Sequence, residues 1–129
     1  MIYVLDTHAI AWFVEDDARL SANARLILED PACELVIPTM ALVEVQFLHA
    51  KGRIKADLAS VYQQIANANN CIIYPLDEKV VAKIPTGLDI HDAIITATAI
   101  VYRDFFQQPA TLITKDNKIT QSGLIQTLW

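Results

Sequence analysis

Residues 2–9, IYVLDTHA, place an apolar run directly before a carboxylate, and residues 112–119, LITKDNKI, repeat this arrangement near the other end of the chain. The run from Ile2 to Leu5 has the composition of a buried strand, and a helical pattern, THAIAWFVED, follows at once. A second strand of this kind is predicted over residues 110–115, ATLITK. The two runs end on Asp6 and Asp116. Because ligands of open α/β sheets bind at the carboxyl ends of the strands, both acids are candidate functional residues.

Between these two strands, short apolar runs alternate with segments of helical periodicity. Further strands are predicted at ELVIP (34–38), at CIIYP (71–75) and, as a short fifth, at LIQTLW (124–129). The predicted helices are SANARLILED (21–30, with Ser21 as N-cap), MALVEVQFLHAKG (40–52, with Thr39 as cap), KADLASVYQQIANAN (55–69), DEKVVAKI (77–84) and DIHDAIITATAIVYRDFF (89–106). This alternation predicts a three-layer α/β/α sandwich with a mainly parallel sheet and right-handed crossovers.

The length of 129 residues suits a single domain that spans residues 1–129. Apolar residues make up 53% and charged residues 19%, which argues against a disordered chain. No apolar stretch approaches the roughly 20 residues that span a bilayer, and no signal sequence is visible, so we expect a soluble cytoplasmic protein with no membrane partner. Cys33 and Cys71 have no second Cys or His at metal-ligand spacing and are expected to be reduced, buried thiols.

The net charge of −5 argues at first against a nucleic-acid partner, because phosphate contacts need Lys and Arg. However, four acidic residues are candidates for one local site: Asp6, Glu44, Asp92 and Asp116. Subtracting these 4 from the 15 acidic residues leaves 11 against 10 basic residues. The remaining surface would then be nearly neutral if divalent cations covered the four.

Each aspartate of this set also has a purely structural interpretation. Asp6 can cap the helix that follows it, and Asp116 with Asn117 is typical of a turn. Asp92 lies three residues after Asp89, which suits a helix N-terminus where negative charge favours the dipole. Asp89 itself is better explained as an N-cap than as a ligand.

Glu44 is the acid that structural roles explain least, since periodicity puts it on the apolar face of its helix. An unpaired carboxylate on an inward face is costly, and no Lys or Arg precedes Lys51 on this helix. The predicted fold brings Asp6, Asp92 and Asp116 to the same edge of the sheet. A divalent cation turns the repulsion among such acids into attraction, and oxygen ligands without Cys or His favour Mg²⁺ or Mn²⁺ over zinc.

This set of acids resembles the PIN domain, the fold of many metal-dependent ribonucleases, including the VapC toxins of bacterial and archaeal toxin–antitoxin pairs. The resemblance covers essentially the whole chain. VLDTHAIAW (4–12) is similar to the family's first motif, ALVEVQFL (41–48) to its second, DIHDAIITATA (89–99) to its third and LITKDNKI (112–119) to its fourth. Four motifs in this order and spacing make the resemblance specific.

The resemblance implies a flavodoxin-like strand order of 3-2-1-4-5 and an endoribonuclease that leaves a 5′-phosphate and a 3′-hydroxyl. It implies Asp6, Glu44 and Asp92 as principal ligands of one or two Mg²⁺ or Mn²⁺ ions, with Asp116 as a further ligand or water-orienting group. Thr7 and Thr114 would hold a ligand carboxylate or a substrate phosphate. Helix capping explains Thr7 equally well, and β-propensity explains Thr114.

Partners are implied by the same resemblance. A small antitoxin would wrap the toxin and insert a side chain into the acidic site, and we expect an apolar groove for it near Trp12 and Leu28. Family members commonly form homodimers through helices, so a homodimer is expected here too. The basic cluster KGRIK (51–55) supplies Lys51, Arg53 and Lys55 as candidate RNA contacts, although a solvated turn is the default interpretation.

Other residues that could carry chemistry are interpreted as structural. A metal-bound water makes a general base unnecessary, so no catalytic role is assigned to His8, His49 or His91, although His8 and His91 flank the proposed acids. Aromatic residues recur at helical spacing, which is typical of core or partner contacts: Trp12, Phe13, Phe47, Tyr62 and Tyr102.

Three other functions are alternatives to a nuclease. A signalling receiver needs an acidic pair after strand one and a phosphoacceptor Asp after strand three. This chain has a single Asp after strand one, and after strand three Asp77 lies beyond Pro75. A haloacid dehalogenase-type phosphatase needs Asp-x-Asp, but residue 8 is His. A catalytically idle module that binds RNA or protein is harder to exclude. Such a module would be expected to lack one of the four acids, and all four are present.

Overall fold

The computed structural model describes residues 1–129 and contains one five-stranded sheet. The strands are β1 (Ile2–Leu5), β2 (Glu34–Pro38), β3 (Cys71–Tyr74), β4 (Ala110–Ile113) and β5 (Gln126–Leu128). All four strand pairs are parallel and the order is β3-β2-β1-β4-β5. The expected strand order is therefore confirmed, and helices cover both sides of the sheet.

Seven α-helices connect the strands. They are α1 (Thr7–Val14), α2 (Ala22–Glu29), α3 (Thr39–Ala50), α4 (Leu58–Asn67), α5 (Glu78–Ala82), α6 (Ile90–Ile100) and α7 (Asn117–Ser122). Ser21 caps α2 as predicted, because its side-chain oxygen accepts a hydrogen bond from the amide of Ala24. None of the helices is both long enough and apolar enough to cross a membrane.

The core forms where the central strands meet the helices. Val4 of β1 lies opposite Val36 of β2 and Leu112 of β4, and all three side chains are buried. From α6, Ile95 packs into the same cluster, and this helix contacts both β1 and β4. Because the side chains of a strand alternate between its two faces, the burial of nearly every residue in β1 and β4 reflects helices on both sides.

Two local predictions were wrong in detail, and a third was confirmed in position only. Thr39 is not a side-chain cap, because it is the first residue of α3 and its hydroxyl donates to the carbonyl of Tyr74 at 2.9 Å. Asp89 occupies the N-cap position of α6 but makes no capping hydrogen bond with its side chain. The predicted helix over 89–106 changes to a π-helical turn at Val101–Phe105.

Aromatic residues divide between the core and the surface. Trp12 and Tyr102 are each 7% exposed, as expected for core residues. Phe47 is 55% exposed and Tyr62 is 47% exposed, so these two do not belong to the core of the single chain. Helical spacing therefore identified the faces on which aromatic residues recur, but it did not show which of those faces another element covers.

The two strands that end on acids are joined directly at their carboxyl ends. The amide of Asp6 donates to the carbonyl of Ile113 at 3.0 Å, which extends the pairing of β1 with β4 by one residue. The amide of Thr114 donates to the carbonyl of Leu128 at 3.2 Å, which links the end of β4 to β5. These bonds fix the backbone on which both acids are held.

Candidate active site

The structure brings together the four carboxylates from four separate elements. Asp6 is the N-cap of α1, Glu44 lies in the middle of α3, Asp92 lies in the first turn of α6, and Asp116 is the N-cap of α7. One cavity of about 350 Å³ is lined by all four together with Thr7, His8, Trp12 and Lys115. The cavity therefore lies at the carboxyl ends of β1 and β4, where an open α/β sheet binds its ligands.

Asp6 is the most buried of the four acids, and two threonines hold its carboxylate. Thr114 Oγ1 donates to Asp6 Oδ2 at 2.5 Å, and the amide of Thr7 donates to Asp6 Oδ1 at 2.7 Å. Thr114 Oγ1 also accepts from the amide of Asp116 at 3.0 Å. One hydroxyl therefore connects the first acid of the chain to the last.

Thr7 orients Glu44 in the same way. Its hydroxyl donates to Glu44 Oε1 at 2.7 Å, while His91 Nδ1 lies 3.5 Å from Glu44 Oε2. The side chain of Glu44 is 22% exposed and faces the cavity. The apolar helix face on which sequence periodicity placed Glu44 therefore borders a polar cavity.

The charges of these acids act on one another. Burial raises the pKa of Asp6, and the charge of Glu44 raises it further, although the hydrogen bonds from Thr114 and Thr7 lower it. Burial also raises the pKa of Asp92 to about 6, with further contributions from the charges of Asp6, Asp116 and Glu44. The four carboxylates therefore form one mutually repelling group, which favours the binding of a cation.

The carboxylates do not form a closed coordination shell. No three His, Cys, Asp or Glu side chains of the chain converge closely enough to hold a metal ion. Oxygen atoms of Asp6 and Glu44 are engaged by threonines, and Asp116 Oδ1 accepts from the amides of Lys118 and Ile119. The carboxylate of Asp92 accepts no hydrogen bond. The site is thus an open group of oxygen donors.

Three residues to which the sequence assigned no role in the site line this cavity, namely His8, Trp12 and Lys115. Trp12, treated as a core residue, is buried but forms part of the cavity wall. Lys115 Nζ lies 5.6 Å from the centroid of the Trp12 ring. A lysine directly before the acid of the fourth motif was a visible signal, because the strand end that presents Asp116 must also place its neighbour nearby.

The basic cluster of residues 51–55 lies outside the lining of the acidic cavity. Lys51 Nζ lies 4.9 Å from the centroid of the Phe47 ring, and the amide of Lys55 donates to Glu15 Oε1 at 2.6 Å. Arg53 forms no salt bridge. These contacts place the cluster between the end of α3 and the end of α1.

A second, larger cavity lies beside the sheet and is mostly apolar. Its volume is about 480 Å³, and 11 of its 17 lining residues are hydrophobic. Residues of α1, α2, β2 and α4 contribute, among them Phe13, Leu28 and Ile65. We call this cavity the apolar groove. Leu28 lines it as expected, but Trp12 does not, because Trp12 lies on the face of α1 that borders the acidic cavity.

Two solved structures show the same fold. One is the crystal structure of VapBC2 from Rickettsia felis bound to a DNA fragment from its promoter, with a TM-score of 0.72 and 17% identity over 100% of this chain and 99% of the other. Another is VapBC-1 from nontypeable Haemophilus influenzae, with a TM-score of 0.67 and 19% identity over 99% of this chain and 97% of the other. At these identities, the likeness is one of fold.

Comparison of the sequence with protein-family models identifies the family of the chain. No curated protein matches the chain at a significant level. The family model of the PIN domain matches residues 3–122, which include the four acids and both threonines. The chain therefore belongs to the PIN domain family.

Proposed function

We propose that the chain is a Mg²⁺- or Mn²⁺-dependent endoribonuclease that hydrolyses RNA phosphodiester bonds and serves as the toxin of a toxin–antitoxin pair. The observation that carries this proposal is the meeting of Asp6, Glu44, Asp92 and Asp116 in one cavity. Membership of the PIN domain family and the fold shared with two VapBC structures support it. The presence of all four acids disfavours the alternative of a catalytically idle binding module.

The donor set fits Mg²⁺ or Mn²⁺. Both ions prefer carboxylate and water oxygens, and Mg²⁺ usually keeps several waters and binds through one or two carboxylates, so an open group of acids suits it. Asp92, whose carboxylate accepts no hydrogen bond, would bind most directly, with Asp6 and Glu44 as the other principal ligands. Asp116, whose Oδ2 is free, would be a further ligand or water-orienting group. When bound, such an ion supplies an activated water and neutralises charge on the phosphate.

The residues of the chain would then orient the reacting groups. Thr114 and the amide of Thr7 fix both oxygens of Asp6, and the hydroxyl of Thr7 fixes one oxygen of Glu44. Because these bonds set the directions of the remaining lone pairs, they fix where a metal or water can lie. Asp116 would orient the attacking water, and its amide bond to Thr114 couples its position to that of Asp6.

Cleavage of a fluorescent RNA tests the proposal, with Asp6→Asn as the decisive variant. We expect the wild type to cleave in Mg²⁺ or Mn²⁺, EDTA to stop cleavage, and Asp6→Asn to reduce it to background, because the amide lacks the charge of the carboxylate. Asp89→Asn is the matched control, since Asp89 lies near Asp92 but does not line the cavity. If purified wild type freed of any bound partner cleaves no RNA, the binding-module alternative replaces this proposal.

The proposed partners are an antitoxin and a second copy of the chain. The apolar groove would accept an apolar segment of the antitoxin, which would also reach the acidic cavity. Val43 and Phe47 on α3 are 51% and 55% exposed, and α3 packs against α6, where Ile90 is 65% exposed. These side chains support a dimer formed through helices, which sedimentation of the purified chain would test. Lys51, Arg53 and Lys55 remain proposed RNA contacts.

A further inference from the structure

Lys115 is the only lysine or arginine among the residues that line the acidic cavity. It forms no salt bridge with any of the four carboxylates. This is so although Asp116 is the next residue in the chain and Asp6 follows β1, the strand that pairs with β4. Its ammonium group lies instead over the ring of Trp12, 5.6 Å from the centroid. An exposed cation beside an acidic cavity is thus left available to another anion.

Trp12 offers Lys115 a position away from the acids. The ring of Trp12 attracts cations through its electron-rich faces, and Arg19 also lies over it, with Cζ at 4.7 Å from the ring centroid. Arg19 is paired with Asp17 at 2.8 Å, so its charge is already compensated. Trp12 is held in turn by Trp129, whose ring lies 5.7 Å away in an edge-on arrangement.

A polyanionic substrate has an electrostatic problem at this cavity, because four carboxylates repel its phosphates. Metal ions would compensate part of that charge at the scissile phosphate, but their attraction weakens with distance towards the flanking phosphates. Lys115 lies at the edge of the same cavity and is exposed, so a phosphate next to the scissile one can reach it. A lysine binds phosphate as a compact point charge with three donors, without demanding one fixed geometry.

Resting on the proposed function, we propose that Lys115 binds a non-bridging oxygen of a substrate phosphate adjacent to the scissile bond, and that Trp12 is the positioning residue that keeps Lys115 off the carboxylates. Trp12 itself does not stack on a base in this assignment, because the ring is 7% exposed and is covered by Lys115, Arg19 and His8. The cavity would then have two parts, an acidic centre and a single basic edge.

The test measures RNA binding in Ca²⁺, where cleavage does not interfere, together with KM and kcat in Mg²⁺. For Lys115→Met we expect binding about tenfold weaker at low salt, as for loss of one charge-assisted contact. The slope of log Kd against log salt concentration should fall by about 0.7, the value for one phosphate contact on a single strand. KM should rise while kcat changes little, and Lys115→Arg should restore most of the binding.

Lys79→Met is the matched control, because Lys79 lies over the ring of Phe105 at 5.4 Å but outside the acidic cavity. Trp12→Phe, which keeps an aromatic ring, should preserve the salt slope, and Trp12→Leu should lower it towards that of Lys115→Met. An unchanged Kd and slope in Lys115→Met would overturn the assignment even if the wild type cleaves RNA. Conversely, a lysine-dependent slope without cleavage would retain Lys115 as an RNA phosphate contact and overturn the nuclease proposal. A wild type that neither binds nor cleaves RNA overturns both.

Discussion

Thr114 is the residue on which the geometry of the acidic cavity depends most. Its hydroxyl hydrogen bonds to Asp6 and to the amide of Asp116, and the side chain is only 2% exposed. β-propensity alone would be satisfied by Val, which has the same shape but no hydroxyl. The hydrogen bonds therefore distinguish the functional interpretation of Thr114 from the structural one that the sequence left equally probable.

Replacing Thr114 by Val should leave a buried oxygen of Asp6 without its partner. We expect the free energy of unfolding to fall by about 1 to 3 kcal/mol. RNA cleavage should fall about 10- to 100-fold, as for other groups that orient a ligand. Chemical denaturation and the cleavage assay measure the two effects. Thr114→Ser keeps the hydroxyl and should retain most of the activity; equal losses in both variants would contradict the proposed role.

Asp92 provides a prediction about pH. Its pKa is raised to about 6 in the folded protein, against about 3.9 in an unfolded chain, so the folded state binds more protons between these values. The metal-free protein should therefore lose stability as the pH rises from about 4 to about 6, and then remain at the lower level. Because the carboxyl is partly exposed, solvent screening reduces the effect to about 1 kcal/mol.

Asp92→Asn should therefore be more stable than the wild type at pH 7.5 in EDTA, with a melting temperature higher by roughly 3 to 5 °C. At pH 4 the two proteins should melt together. Added Mg²⁺ should raise the melting temperature of the wild type more than that of the variant. Glu78→Gln serves as the control, because Glu78 is an exposed acid outside the cavity and forms no salt bridge. A variant that melts below the wild type in EDTA would show that Asp92 is not destabilised by its neighbours.

At the scale of the elements, α1 separates the two cavities. The side of α1 that lines the acidic cavity carries Thr7, His8 and Trp12. The side that lines the apolar groove carries Ile10, Phe13 and Val14. The two cavities share no lining residue. The same division begins in β1, where Leu5 lines the groove and the next residue, Asp6, lines the acidic cavity. An alternation of this kind follows from the period of two in a strand.

A variant in α4 tests whether the groove receives a partner. Ile65 lines the groove and is partly buried, so Ile65→Glu would place a charge against any apolar segment bound there. We expect it to weaken binding of the proposed antitoxin while RNA cleavage by the free chain persists. Tyr62→Glu on the same helix is the control, since Tyr62 is exposed and does not line the groove. Calorimetric titration of both variants with the proposed antitoxin shows whether binding depends on the groove position or on the exposed position of α4.

At the scale of the whole molecule, the sequence predicted the parallel sheet and every strand, because short apolar runs between helical segments leave few alternatives. The positions of the acids at strand ends also predicted which edge of the sheet would bear them. The sequence could not predict contacts between side chains that are far apart in the chain. The ammonium of Lys115 over Trp12 and the exposure of Phe47 both depend on which surfaces meet in three dimensions.

The hydrogen bond from Thr114 to Asp6 joins residues 108 positions apart. During synthesis on the ribosome, Asp6 emerges first, but its carboxylate must wait for β4 and Thr114 before it can be held in place. A nascent chain that has passed α6 already carries three of the four acids and still lacks the strand that pairs with β1 on one side. The proposed hydrolytic activity would thus require that the chain has been synthesised and folded at least as far as Thr114 and Asp116.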